Sequence, residues 1–106
     1  MTWMEIGLFQ LESLSLTPAL YLYFDLREED QAVPPALSPL LKRAQKISAI
    51  QVEQHLRESQ ADSKTPILLI CETGATSKAL AKRLADKGFE QVYVVAEGVR
   101  GLLGEL

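Results

Sequence analysis

The sequence predicts an α/β fold, a parallel sheet flanked by helices. Three runs carry this reading: Tyr21-Leu22-Tyr23-Phe24, Ile67-Leu68-Leu69-Ile70 and Val92-Tyr93-Val94-Val95 are apolar at consecutive positions rather than alternate ones. Short runs of that kind, bounded by turn residues, suit strands covered on both faces, as in a parallel sheet. Between the last two lies a stretch with helical spacing. Strands alternating with helices give a layered sandwich.

Taken in order, a first strand is a candidate within Glu5 to Leu11. The Tyr21 run ends in Asp25, and its aromatic residues are assigned to the core. The proline-dense stretch Val33 to Pro39 reads as a loop. Ser38-Pro39 then resembles a cap and a first-turn proline for a short helix, Leu40 to Ala44. Ile47 to Val52 is a weaker strand candidate, followed by a short helix over Glu53 to Ser59. The Ile67 run starts after Thr65-Pro66 and delivers Cys71. Ser77 to Lys87 reads as a helix: Leu80, Ala81, Leu84 and Ala85 share one face, and Lys78, Lys82, Arg83 and Asp86 the other. Gly88 suits the left-handed position after a helix, with Phe89 folding back onto the last turn. The Val92 run ends in Ala96-Glu97-Gly98.

The 106 residues, 47% apolar and 24% charged, are enough for one domain, 1–106, around one core. Eleven Lys+Arg against fourteen Asp+Glu, a net charge of −3, leave no basic excess for phosphates, so no nucleic-acid partner is expected. No apolar run approaches the ~18 residues of a membrane span. The start carries Glu5 and Glu12 and no basic segment, unlike a signal peptide, so a cytoplasmic location is expected. One Cys and one His provide neither an internal disulfide nor a usual zinc site, and no metal is expected.

The chemistry concentrates at Cys71-Glu72-Thr73-Gly74-Ala75-Thr76-Ser77. A buried strand ends at the cysteine, a loop of small residues follows, and a helix begins at its far end. Ligands of open α/β sheets bind beyond the carboxyl ends of the strands. A loop entering a helix N-terminus turns several N–H groups toward one point, a cradle for an anion or a sulfur nucleophile. Gly74 permits the tight backbone, and Thr73, Thr76 and Ser77 supply hydroxyls. Spacing alone leaves a second reading open, an inert strand-end thiol beside an ordinary helix cap.

The stretch from Ile67 to Gly98, about a third of the chain, resembles the second half of a single-domain rhodanese, a sulfurtransferase. The shared features are the strand-end Cys71 with a C-x-x-G-x-x-S loop through Gly74 and Ser77, then Gly88-Phe89 and Val92-Tyr93. Upstream, Phe24-Asp25-Leu26-Arg27-Glu28-Glu29 resembles the family's D-x-R-E strand end, and Ala49 to Val52 its A-I-N-I strand before the central helix. The resemblance implies a rhodanese-like three-layer sandwich in which Cys71 carries sulfur as a persulfide, held by the amides of residues 72 to 77. The donor is a thiosulfate- or persulfide-type compound, the acceptor a thiol, a cyanide-like nucleophile or a sulfur-relay protein, and no cofactor is implied. Asp25 and Arg27 become supporting residues.

The sequence departs from the family pattern in several places. The loop has no arginine or lysine, and Glu72 sits beside the cysteine. No H-I-P-G-A segment is present, and Pro34 to Lys46 is remodelled. The G-G turn is reduced to Glu97-Gly98, the expected tryptophan is Leu102, and the last helix is short. Arg100, just beyond the turn, is a candidate for the missing positive charge. The alternative function is a weak or inactive rhodanese-like module for partner binding or redox sensing. A phosphatase needs an arginine where Ser77 stands, and a thioredoxin-like site needs a second cysteine. His55 is assigned to a surface or half-buried position rather than to catalysis. Trp3, near Met1 and Met4, is either a packing residue or a partner contact.

Overall fold

The computed structural model describes residues 3–17, 21–28 and 32–106. Its strands are β1 (Trp3–Ile6), β2 (Leu22–Asp25), β3 (Gln45–Lys46), β4 (Ile67–Ile70) and β5 (Val92–Val95). They pair in parallel in the order β1-β5-β4-β2-β3. The helices are α1 (Leu8–Leu14), α2 (Ser38–Lys42), α3 (Ala49–Glu58), α4 (Ala75–Asp86) and α5 (Gly98–Gly104). On one face α3 and α4 bury Val52, Leu56, Leu80 and Leu84 against Phe24, Leu69, Val92 and Val94. On the other, α1, α2 and α5 bury Leu11, Leu40 and Leu102 against Ile6, Leu68 and Val95. All of Ile67 to Ile70 are therefore fully buried, which is why β4 is apolar without alternation.

Most expected elements lie where the pattern puts them, and the differences have local causes. The strand expected over Ile47 to Val52 is absent: β3 ends at Lys46, and Ser48 already caps α3, which opens at Ala49. Ser48 Oγ accepts from the Gln51 amide at 3.3 Å and Gln51 Oε1 accepts from the Ser48 amide at 3.0 Å. This capping box starts the helix there, and Val52 and Leu56, one turn apart, are its buried residues. The Glu5 to Leu11 segment divides at Gly7 into β1 and α1. Ser38 lies inside α2 rather than capping it, and Pro39 occupies the first turn. Helix α4 opens at Ala75, before Ser77, and closes as expected: Gly88 (φ +99°) donates to the Ala85 carbonyl at 3.0 Å and Phe89 to that of Leu84 at 3.1 Å.

Trp3 is half-buried against the α3/α4 core, while Met1 lies outside the described residues. The His55 ring sits edge-on to Phe24, centroids 5.5 Å apart, a packing role. Tyr23 and Phe24 are buried and Tyr21 is partly so. Among the described residues, no helix is long and apolar enough to cross a membrane. No cluster of His, Cys, Asp or Glu there could hold a metal ion.

Candidate active site at Cys71

The connections leaving β2 and β4 run to opposite faces of the sheet, α2 to one and α4 to the other. A crevice opens between two neighbouring parallel strands where this happens, and Cys71 sits at its floor. The cysteine is 3% exposed. The loop folds back over its sulfur, so that the Gly74 amide donates to Sγ at 3.0 Å and the Ser77 amide at 3.5 Å. Gly74 (φ +94°) makes this wrap, and a side chain there would also press on the Glu97 backbone at 3.1 Å. Ser77 is fully buried, and its hydroxyl has no hydrogen-bond partner. Thr73, Ala75 and Thr76 are exposed around it.

A cavity of about 730 Å³ opens beside Cys71. Its walls come from three segments: Leu26, Arg27 and Glu28 after β2; Lys46 at the end of β3 through Ile50 in the first turn of α3; and Glu72 of the loop with Thr76 in the first turn of α4. The amide of Leu26 donates to the Ile70 carbonyl at 2.7 Å, extending the ladder to the cysteine. Asp25 and Arg27 form a buried pair. Arg27 Nε donates to Asp25 Oδ1 at 3.0 Å and Nη2 to Oδ2 at 2.8 Å, and the Arg27 amide also reaches Oδ1 at 3.0 Å. The guanidinium is thus braced on its own strand end and presented to the cavity wall. Burial first, then the Asp25 carboxylate, raises the nearby Tyr23 phenol above its ordinary value. Glu29, the last residue of the D-x-R-E resemblance, lies outside the described residues.

The backbone of the loop is held from the other side by α5. Val99 donates to the Cys71 carbonyl at 2.9 Å and Arg100 to that of Glu72 at 3.1 Å. Arg100 Nε also approaches Glu72 Oε1 at 3.6 Å, with the arginine side chain 71% exposed. Arg100 lines a neighbouring cavity with Thr73, Glu97 and Gly101. Its charge meets Glu72.

The chain matches the family described as Rhodanese-like domain over residues 16–105. It belongs to the rhodanese-like domain family. The match spans β2 through α5, and the family is related to sulfur transfer. No curated protein matches the chain. Among solved structures, it is similar to a rhodanese homolog from the extremely thermophilic bacterium Thermus thermophilus. That likeness has a TM-score of 0.62 at 22% identity, covering 92% of this chain and 99% of the other. It is also similar to part of an NAD-dependent persulfide reductase from A. fulgidus. There the TM-score is 0.61 at 19% identity, covering 92% of this chain but 15% of the reductase. Both likenesses support the fold.

In this rhodanese-like domain the predicted site residues converge: Cys71, Glu72, Thr76 and Arg27 border one cavity, with Asp25 behind Arg27. The α3 wall and the α5 clamp were missed from sequence. The Ser48-x-x-Gln51 capping pattern was the available signal for the wall. Nothing local marks Val99 as a partner of Cys71.

Proposed function

We propose that this rhodanese-like domain is a sulfurtransferase-type carrier that holds sulfur as a persulfide on Cys71. The observation that carries the reading is the pair of amides, Gly74 and Ser77, converging on Sγ at the opening of α4. Such donors stabilise a sulfur anion, both the attacking thiolate and the terminal sulfur of a persulfide. In the loading step the Cys71 thiolate attacks the outer sulfur of a donor, one S–S bond forms and the donor's bond breaks. The departing thiolate or sulfite leaves with the electron pair. In the unloading step a thiol or cyanide-like nucleophile takes the outer sulfur, and Cys71 leaves as thiolate. No external oxidant or reductant is needed. The partners are a small sulfur donor and a thiol acceptor, or a sulfur-relay protein.

Intact mass after incubation with thiosulfate, and separately with a thiol persulfide, tests this. The expected result is a gain of one sulfur atom, reversed by cyanide and absent in Cys71→Ala. A folded protein that gains sulfur from neither donor supports the second reading, a rhodanese-like module for partner binding or redox sensing. The burial of Cys71 and the acidic Glu72 beside it are what favour that reading.

A further inference from the structure

We infer that Glu72, held in place by Arg100, is a specificity-determining residue that turns the Cys71 cavity away from dianionic donors and toward thiol persulfides of lower charge. This rests on the sulfur-carrier reading of Cys71 and adds the substrate class.

Four charged residues line the cavity: Arg27, Lys46, Glu28 and Glu72. Arg27 is bound through two of its nitrogens by the Asp25 carboxylate, so the pair brings little net charge to the wall. That leaves Glu28 and Glu72 against Lys46 on the wall, with Glu72 offset only in part by the exposed Arg100 at 3.6 Å. The rest of the wall is largely apolar, with Leu26, Ile47, Ala49 and Ile50; Ile50 is 81% exposed. Such a wall gives the carbon body of a thiol something to cover, whereas thiosulfate is compact, doubly charged and without apolar surface.

Glu72 is the carboxylate adjacent to the nucleophile in sequence, and its side chain is 33% exposed. Two contacts hold the residue, the Arg100 amide on its carbonyl and the Arg100 guanidinium near its carboxylate. Arg100 lines a different cavity, so it offsets part of the charge of Glu72 without itself bordering the donor. The preferred reaction then balances simply. The Cys71 thiolate attacks the terminal sulfur of R–S–S–H, the donor's S–S bond breaks, and R–S⁻ leaves with the electron pair while the proton stays on the new persulfide.

The test compares alkylation of Cys71 by iodoacetate and iodoacetamide. The ratio of the two rates cancels changes in the ionisation of the cysteine and reports the field met by an incoming anion. Glu72→Gln raises the iodoacetate-to-iodoacetamide ratio about threefold, the effect of one unit charge across several ångströms of solvent. The change fades in ~1 M salt. Arg100→Gln lowers the ratio in both the wild-type and the Glu72→Gln backgrounds, because its positive charge adds to the field of the cavity independently of Glu72. Sulfur loading measured by mass follows: the thiosulfate rate of Glu72→Gln rises about tenfold relative to the rate with 2-hydroxyethyl persulfide, twice the charge giving the squared factor. An unchanged alkylation ratio in Glu72→Gln overturns the inference, as does wild-type loading that is faster from thiosulfate than from the persulfide. A ratio that shifts as expected, with no sulfur loaded from either donor, removes the carrier reading and its donor class. In that case the charge of Glu72 stands as a property of the cavity.

Discussion

The amide of Val99 donates to the carbonyl oxygen of Cys71 at 2.9 Å, so the first turn of α5 is capped by the backbone that carries the nucleophile. The first amides of a helix lack partners within it, and here the cysteine loop supplies them. At its other end α5 returns the arrangement: Glu105 Oε2 accepts from the amide of Leu8, at the opening of α1, at 2.9 Å. A short helix thereby couples the edge of the sheet to the site.

Gly98 makes that coupling close. It lies at φ +62°, and a Cβ there would come within 2.2 Å of the Cys71 carbonyl oxygen and 2.7 Å of the Glu72 backbone. Gly98→Ala is expected to cost about 3 kcal/mol, combining left-handed strain with a backbone clash. For a chain of this size that is a fall of roughly 10–20 °C in Tm. The alkylation rate of Cys71 should change with it, because the displaced peptide is its own. Gly104→Ala is the control: nothing lies within 4 Å of a Cβ there, and it should be neutral or mildly stabilising. Equal thermal shifts for the two would show that the contact does not constrain the loop.

Glu97 adopts φ +56° without being glycine, at a position where the resembling family has one. Its backbone is strained at this turn. Glu97→Gly relieves that strain, less the added freedom of the unfolded chain, and is expected to stabilise the protein by about 0.5–1 kcal/mol. Urea unfolding reads it directly. A loss of stability would mean that contacts of the Glu97 side chain outweigh the strain.

How far the sequence was legible follows from which contacts are local. Ile67 to Ile70 announced a central strand because both faces are covered, and α4 announced itself by its buried stripe and its Gly88-Phe89 closure. Ile47, Ala49, Ile50 and Val52 misled because a dense apolar run across a helix start resembles a short strand. Ile50 proves to be exposed at the cavity wall, not buried in a sheet. The cysteine loop was readable since its parts are contiguous. The pairing of Glu72 with Arg100 was not, because it depends on where α5 is laid across the sheet.

The clasp between α3 and α4 gives a pH prediction. Glu53 accepts from Lys87 and, at 2.8 Å, from Arg83. These two contacts, Lys87 first, hold its carboxyl below the usual carboxylate range. A depressed carboxylate contributes stability that is present above its unfolded value, about 4.3, and lost as pH falls through the folded value. Glu53→Gln should therefore cost under about 1 kcal/mol at neutral pH, and less in salt. Wild type and variant should converge in unfolding curves at acid pH, once the carboxyl is protonated in the folded as well as the unfolded chain. A difference that persisted there would point to packing rather than charge.

Ser77 separates stability from chemistry at the site. Its hydroxyl is buried without a partner while its amide faces Sγ at 3.5 Å. A buried, unpaired hydroxyl is a cost in the resting protein, so Ser77→Ala should be neutral or stabilising, by up to about 1 kcal/mol. If the hydroxyl is kept for the terminal sulfur of a Cys71 persulfide, the same variant should lose its sulfur several times faster after loading. Persulfide lifetime by intact mass, beside thermal melting, reads both quantities on one sample. A variant that is more stable and holds sulfur just as long would leave the hydroxyl without a part in carrying it, and the two loop amides would then account for the cradle on their own.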